Sequence, residues 1–460
     1  MSRRRSREIH RQQGSVAEQR FWRYAPFVIL GLHIALALLY NWLTPFGNNG
    51  YANTPDEGAH FQYVVYVARE WRLPRFEGYA GVGYEAHQPP LYYFLAALLY
   101  HVVGGTGKGV RLLSTLASAG VVWLTWLTLR RLLPHRPEVA LTGMGFVAFL
   151  PMHLAIGSAV SNDALTNLLF ASVLFLVSSE QNFFLRLPRR KKFWWRVASG
   201  KWQAPLLLGV LAGLALLTKA AAILLLPVVV IGLLLRARLA GAGWEHGLQQ
   251  AGIALGSALL LSGWWFIRNA ILYEDPLLQK TFLHVFAGTA KAEDFLRAGL
   301  SWGEYLRWVA DWTFRSFWFA YGTPRTAQTG VPHFLPFDGI YLALGVWQLL
   351  TFIGLPLSLR GRTNGVEQAD DSPRMLRSAL LLGALTLALV LVSFLLFIRV
   401  FFQAQGRYFY PALLPIAMFH ALGWDGMVGL LPARWRMVGH LCPVLFWLLL
   451  AVGCTLYLSE

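Results

Sequence analysis

Apolar runs close to the length needed to cross a bilayer recur from Pro26 to the end of this 460-residue chain, and no long polar domain interrupts them. Pro26–Leu43, Val139–Ile156, Ala204–Leu217, Ile253–Ile267, Leu380–Ile398 and Val438–Leu458 are examples. With 56% hydrophobic and only 14% charged residues, the chain is too apolar for a soluble protein of this length. The expected fold class is therefore all-α, a polytopic membrane protein. Met1–Arg23 is basic and polar, and the apolar segment after it lacks a small-residue cleavage site, so it reads as an uncleaved first span.

Net charge is +17, yet the positive residues gather at the ends of apolar runs, where the positive-inside rule places them. Membrane lipids, not nucleic acid, are the partners this pattern implies. The two cysteines, Cys442 and Cys454, share the last apolar run and read as packing residues. Seven arginines precede Pro26, which puts the N-terminus on the cytoplasmic side of a cytoplasmic membrane and delivers Thr44 outside.

The orientation of everything downstream turns on Gln88–Gly104, an apolar stretch opened by Pro89-Pro90 and shorter than the roughly 20 residues a span needs. If it crossed, the basic cluster Arg186, Arg189, Arg190, Lys191, Lys192 and Arg196 would face out. If it lies in the outer interface, basic residues fall inside in five successive places: Arg130–Arg136, Arg186–Lys201, Arg236–Arg238, Arg360–Arg377 and Arg434–Arg436. We adopt the second reading. It gives about 11 transmembrane helices, near 25–43, 111–129, 137–156, 163–180, 204–218, 220–235, 249–267, 339–358, 378–398, 408–424 and 437–458.

The organisation expected is a basic cytoplasmic N-terminus over 1–24, a transmembrane module over 25–267 that includes an outer loop over 44–110, a second outer loop over 268–338, and C-terminal helices over 339–460. Both outer loops hold aromatic, amphipathic pieces such as Phe61–Trp71 and Phe314–Phe319, expected as outer-face juxtamembrane helices.

In the first loop stands Asn53-Thr54-Pro55-Asp56-Glu57-Gly58-Ala59-His60-Phe61. Pro55 ahead of two acids reads as a helix start, with Thr54 as cap and the acids in the first turn, where the helix dipole favours negative charge. The same residues on a membrane-surface helix put Asp56, Glu57 and His60 at the interface, where a carboxylate can act as general base toward an acceptor hydroxyl. No phosphate loop, His-Glu-x-x-His or Gly-x-Ser-x-Gly occurs, so nucleotide hydrolysis, zincin and serine hydrolase chemistry lose support.

An acidic pair opening a helix in the first outer loop resembles the signature of the GT-C superfamily of polyprenyl-phosphate-sugar glycosyltransferases, including protein O-mannosyltransferases and lipid A aminoarabinose transferases. His87-Gln88-Pro89-Pro90-Leu91-Tyr92-Tyr93 closes the same loop, as a His-Pro-Pro-Leu or Lys-Pro-Leu-Tyr-Trp motif does in those enzymes. Asp56–Phe61 and Gln405-Gly406-Arg407-Tyr408 also resemble a related group of bacterial membrane proteins. Ser161-Asn162-Asp163-Ala164, Leu217-Thr218-Lys219 and Trp265-Phe266-Ile267-Arg268-Asn269 extend the resemblance along the membrane region, all on the outer side. The aminoarabinose enzymes usually carry Lys where His87 stands, and the loop 268–338 has no counterpart.

The resemblance implies a polyprenyl-phosphate sugar donor and a glycan, lipid or protein acceptor. Asp56 is the expected general base of an inverting transfer, with Glu57 orienting it or exchanging roles. Lys219, Arg268 and Arg407 are expected to stabilise the leaving phosphate, with His60 and His87 as hydrogen-bond partners and Asp163 and Tyr408 in the substrate site. Each has a plainer reading: Asp163 as a helix cap, Lys219 and Arg268 as snorkelling anchors, Arg407 beside Tyr408 as an interface marker. Trp312, Phe314, Phe317 and Trp318 fit either a polyprenyl groove or an aromatic belt. A divalent cation is compatible with this chemistry, but no dedicated ligand cluster is visible, so no cofactor is required. The rival functions are a lipid or solute transporter or flippase, which mid-span charges would favour, and a non-catalytic polysaccharide-assembly protein.

The topology has a direct test. A membrane-impermeant thiol reagent added outside should label Thr106→Cys and spare Ser199→Cys; the reverse pattern would sink the map.

Overall fold

The computed structural model describes residues 2–46, 56–178, 203–321, 333–334, 338–363 and 372–457. The basic loop 186–201 and the Thr54-Pro55 helix start lie outside them. Among the described residues the fold is helical apart from one two-residue antiparallel pairing, Ala320–Tyr321 with His333–Phe334. The first helix runs Ser2–Leu43, and Glu57–Glu70 and Leu91–Val102 are the helices of the loop that follows it, expected on the outer side. Seven helices are long and apolar enough to cross a membrane, or eight if Pro137–Ala148 and Pro151–Gly157, bent by 59°, form one span. The expected spans at 163–180 and 204–218 appear as the shorter helices Asn162–Val177 and Gln203–Leu216. The span expected at 408–424 starts as a 3-10 turn, Gly406–Ala412, before the helix Leu413–Val428. Leu91–Val102 has 12 residues. At about 1.5 Å per residue such a helix falls well short of a hydrocarbon core of about 30 Å.

Large apolar side chains such as Leu260, Ile271, Leu342 and Phe352 are exposed on outward faces, as lipid contact requires. Inside, two extensive apolar clusters form. One joins Val139–Ile156 with Leu413–Leu422, the other the outer-loop helices with Leu165–Val177 and Leu208–Leu233.

Close helix contacts depend on missing side chains. A Cβ on Gly354 would lie 2.0 Å from the Gly423 carbonyl, and one on Gly426 would lie 1.9 Å from the Gly354 carbonyl, so Asp338–Thr363 and Leu413–Val428 touch backbone to backbone. Where the bent pair breaks, carbonyls lose their helical partners. The His33 ring N–H donates to Ala148 O at 2.7 Å and the His153 ring N–H to Val147 O at 2.9 Å, so two buried histidines are explained as caps of that break. At the other end of the bundle Asp425 accepts from Arg136 and from Ser358 (2.9 Å) and lies 3.4 Å from His440 Nε2, tying four helices together.

Candidate active site

Asp56 is the N-cap of helix Glu57–Glu70 with φ 72°, in the left-handed region, and its side chain makes no capping bond. Asp tolerates that backbone better than most residues. The carboxylate instead spans outward: Oδ1 accepts from the Tyr84 hydroxyl at 2.8 Å and Oδ2 from Arg407 Nη2 at 3.2 Å. Arg407 is buried and its Nη1 reaches Asp163 Oδ2 at 3.1 Å, while Lys219 Nζ holds Asp163 Oδ1. Four residues from four distant parts of the chain thus form one chain of alternating charge.

Local structure explains each position. Asp163 lies in the first turn of Asn162–Val177, with its backbone N–H capped by Ser161 Oγ at 3.2 Å. Lys219 precedes the 3-10 turn Ala220–Leu224. The Leu91 N–H donates to Leu217 O at 2.8 Å, and Asn162 Nδ2 donates to Thr218 O at 3.0 Å, binding three of the quoted motifs to one another. Gly406 is a point of close approach. A Cβ there would lie 2.3 Å from the Phe317 backbone, so glycine is required for close approach of helix Trp302–Trp318, whose Ser316 Oγ accepts from Gly406 N at 2.8 Å.

These groups open into a cavity of about 620 Å³. Its lining is partly polar, with Asp56, His60, Glu85, His87, Asp163, Lys219, Arg407 and Tyr408, and partly apolar, with Leu277, Phe282 and Phe286 and with Val390, Phe394, Phe397 and Phe401. His60 Nδ1 is 2.7 Å from the Tyr93 hydroxyl and 3.6 Å from Glu85 Oε2. Glu85 is buried, its Oε2 lacks a hydrogen-bond partner, and burial pushes its pKa up against the pull of His60. His87 N–H donates to Tyr84 O at 2.6 Å, and desolvation lowers its imidazole to about 4, so at neutral pH it offers hydrogen bonds and no charge. Tyr408 donates to Gln403 Oε1 at 2.8 Å and lies under the Arg407 guanidinium.

Two expected site residues face elsewhere. Glu57 is buried against Arg111, with both carboxylate oxygens 2.7 Å from the guanidinium, and Oε1 also accepts from Val160 N at 2.9 Å. Residues i and i+1 of a helix diverge, so its carboxylate cannot share the cavity with that of Asp56. Arg268 donates to Pro74 O at 2.7 Å and packs over Trp265, leaving Trp265, Phe266 and Asn269 of that stretch at the cavity wall. Phe317 and Trp318 pack into the apolar core instead of the cavity, whose aromatic wall comes from other segments. Tyr84 and Glu85 were not anticipated; the signal was an aromatic-acid pair separated from His87 by Ala86 alone.

Comparison with known proteins follows the same lines. The model of the dolichyl-phosphate-mannose-protein mannosyltransferase family matches residues 87–265. Undecaprenyl phosphate-alpha-4-amino-4-deoxy-L-arabinose arabinosyl transferase 1 of Pseudomonas fluorescens is 28% identical over 287 residues, covering 61% of this chain and 45% of the relative. The fold is similar to ArnT from Cupriavidus metallidurans bound to undecaprenyl phosphate, with a TM-score of 0.52 at 12% identity over 94% of this chain and 75% of that one. It is also similar to the Archaeoglobus fulgidus oligosaccharyltransferase AglB in complex with an inhibitory peptide and a dolichol-phosphate, at a TM-score of 0.52 and 14% identity over 95% of this chain and 56% of that one. The chain therefore spans about half the length of that transferase and of AglB. The chain shares the fold of ArnT and AglB, and the family match starts at His87, the first residue of the His87–Tyr93 motif.

Arg111 is fully buried, and beyond Glu57 it donates to Asn41, Thr44 and Pro45 at 3.0 to 3.2 Å. Removing one member of a buried pair strands the other charge, so Arg111→Met should cost about 3–5 kcal/mol. Thermal unfolding of the detergent-solubilised protein checks this; a melting temperature equal to wild type would show that the pair contributes nothing.

Proposed function

We propose that this chain is a membrane glycosyltransferase that moves a sugar from a polyprenyl-phosphate donor to an acceptor hydroxyl at the outer membrane face. The observation that carries the reading is the mixed lining of one cavity: a cluster of acids and cations together with a run of aromatic and aliphatic side chains. A donor with a phosphate head and an isoprenoid tail has the same division. Arg407 and Lys219 face the phosphate, with the guanidinium offering paired donors to its oxygens. The apolar lining from Val390 to Phe401 takes the first isoprene units.

The reaction is an inverting displacement. The acceptor oxygen attacks the anomeric carbon, its proton passes to Asp56, and the bond to phosphate breaks with its electron pair leaving on oxygen. Arg407 and Lys219 stabilise the charge that grows there. Donor binding and base activation are coupled, because phosphate competes with Asp56 and Asp163 for the same two cations. His60 and the neutral His87 orient phosphate or sugar oxygens, and the buried Glu85 carboxylate stands against His60.

A divalent cation does not fit the donor set as folded. Asp56 and Asp163 are both bound by Arg407, and Lys219 holds the remaining Asp163 oxygen, so a metal there would meet a guanidinium and an ammonium. No step is derived through one.

Asp56→Asn should abolish transfer while folding and donor binding persist, since the base is lost and the phosphate site kept. Turnover at the wild-type rate in that variant removes Asp56 from the mechanism. Arg407→Lys keeps the charge and loses the planar fork, so donor affinity should fall by roughly 1.5–3 kcal/mol, the range for a hydrogen bond to a charged group. Donor titration and thermal stability measured together decide it: normal affinity in a well-folded Arg407→Ala variant moves the phosphate site elsewhere.

A further inference from the structure

The base of the proposed reaction is not free. Asp56 Oδ2 is held by Arg407, and Oδ1 is held at 2.8 Å by the Tyr84 hydroxyl. Phosphate arriving at Arg407 can release the first oxygen. It does nothing for the second.

Tyr84 opens the 3-10 turn Tyr84–His87 at the end of a loop in which Gly78, Gly81 and Gly83 have φ of 70°, 63° and 93°. These are backbone states that glycine adopts freely, so the loop is built to bend where other residues would be strained. At Gly83 it lies against helix Glu57–Glu70: a Cβ there would come within 2.7 Å of Gln62 Oε1. The phenol ring packs against Tyr79 and Phe286, both centroids within 6.1 Å. Burial and the negative charge of Asp56 raise the Tyr84 pKa, which keeps the hydroxyl a donor.

We propose that Tyr84 is a guard on the general base: its hydroxyl occupies Asp56 Oδ1 until an acceptor hydroxyl displaces it, which stops water from being activated against the bound donor. The proposal rests on the transferase reading above. Hydrolysis and transfer are the same displacement. An oxygen nucleophile bonds to the anomeric carbon, the carbon–oxygen bond to phosphate breaks with its electron pair on phosphate, and the nucleophile's proton goes to Asp56. Water and acceptor differ in what they bring to the exchange. An acceptor held by contacts elsewhere can replace the phenol at Oδ1, whereas a lone water must break a hydrogen bond to a carboxylate with no other binding to offset it.

The test measures sugar released without acceptor from undecaprenyl-phosphate-linked 4-amino-4-deoxy-L-arabinose or dolichyl-phosphate mannose, using whichever the purified wild type turns over. Tyr84→Phe should raise this hydrolysis roughly 10- to 100-fold, the loss of one hydrogen bond to a charged group expressed as a rate. The gain should vanish in the double variant Tyr84→Phe/Asp56→Asn, because the freed base is its source. Gly83→Ala, which displaces the loop without touching the ring, should also raise hydrolysis. Hydrolysis at or below wild type in both single variants with normal melting temperatures overturns the guard, as does a gain that survives the double variant. Turnover of neither donor, or turnover that Asp56→Asn leaves intact, instead overturns the transferase reading and the guard with it.

Discussion

Glu57 and Arg111 form an ion pair with almost no exposure, at the point where the first helix ends and the first outer-loop helix begins. A guanidinium in such a place costs several kcal/mol unless its donors are met and its charge balanced. Here Glu57 supplies the charge, and Asn41, Thr44 and Pro45 take the remaining N–H groups. The pair therefore fixes the end of Ser2–Leu43 against the start of Glu57–Glu70, and through the Val160 N–H it fixes the approach to Asn162-Asp163. Asp56 is the next residue along. Its left-handed backbone turns one acid outward as the other turns in, a strain of about 1–3 kcal/mol that persists only where neighbours over-determine it.

The alternating row Lys219, Asp163, Arg407, Asp56 is held in a second way, by helix termini. Each member sits at a helix start, beside a 3-10 turn or within one, where the backbone has spare N–H and C=O groups and a side chain can leave the helical surface. Mid-span charge would need partners within the hydrocarbon. Charge at breaks can be shared with a polar cavity, so the fold can keep it reactive without losing its apolar bundle.

Much of the site was legible because charged residues at the ends of apolar runs are few and need a reason. Asp56, His60, His87, Asp163, Lys219, Arg407 and Tyr408 do reach one cavity. What local pattern could not convey was pairing at a distance. Arg111 reads as the ordinary basic start of a span, and nothing near it in the chain announces Glu57, 54 residues earlier. The same blindness put Arg268 at the phosphate, when its partner is the Pro74 carbonyl, 194 residues away. Span counting met a different limit. Asn162–Val177 and Gln203–Leu216 are apolar enough but short, and hydropathy does not say where a helix gives way to a turn.

The helix Ser372–Val400 shows why the polar and apolar parts of the cavity lining belong together. Val390, Phe394 and Phe397, with Phe401 just past the helix end, face the cavity, while Val392 and Leu395 are exposed, as a helix at the bundle edge would present them to lipid. The chain then turns and within a few residues presents Arg407, so this apolar lining and the buried guanidinium are two ends of one continuous segment. Gly406 lets that segment press against the Phe317 backbone, and Tyr410 donates to Phe317 O at 2.7 Å, so the turn has little freedom to drift. A displacement of Arg407 by one ångström would loosen both Asp56 and Asp163 at once. The arrangement thus fixes the guanidinium relative to the apolar lining by backbone contact, not by the flexible reach of a long side chain, which is the form of preorganisation that the proposed stabilisation of a leaving phosphate requires.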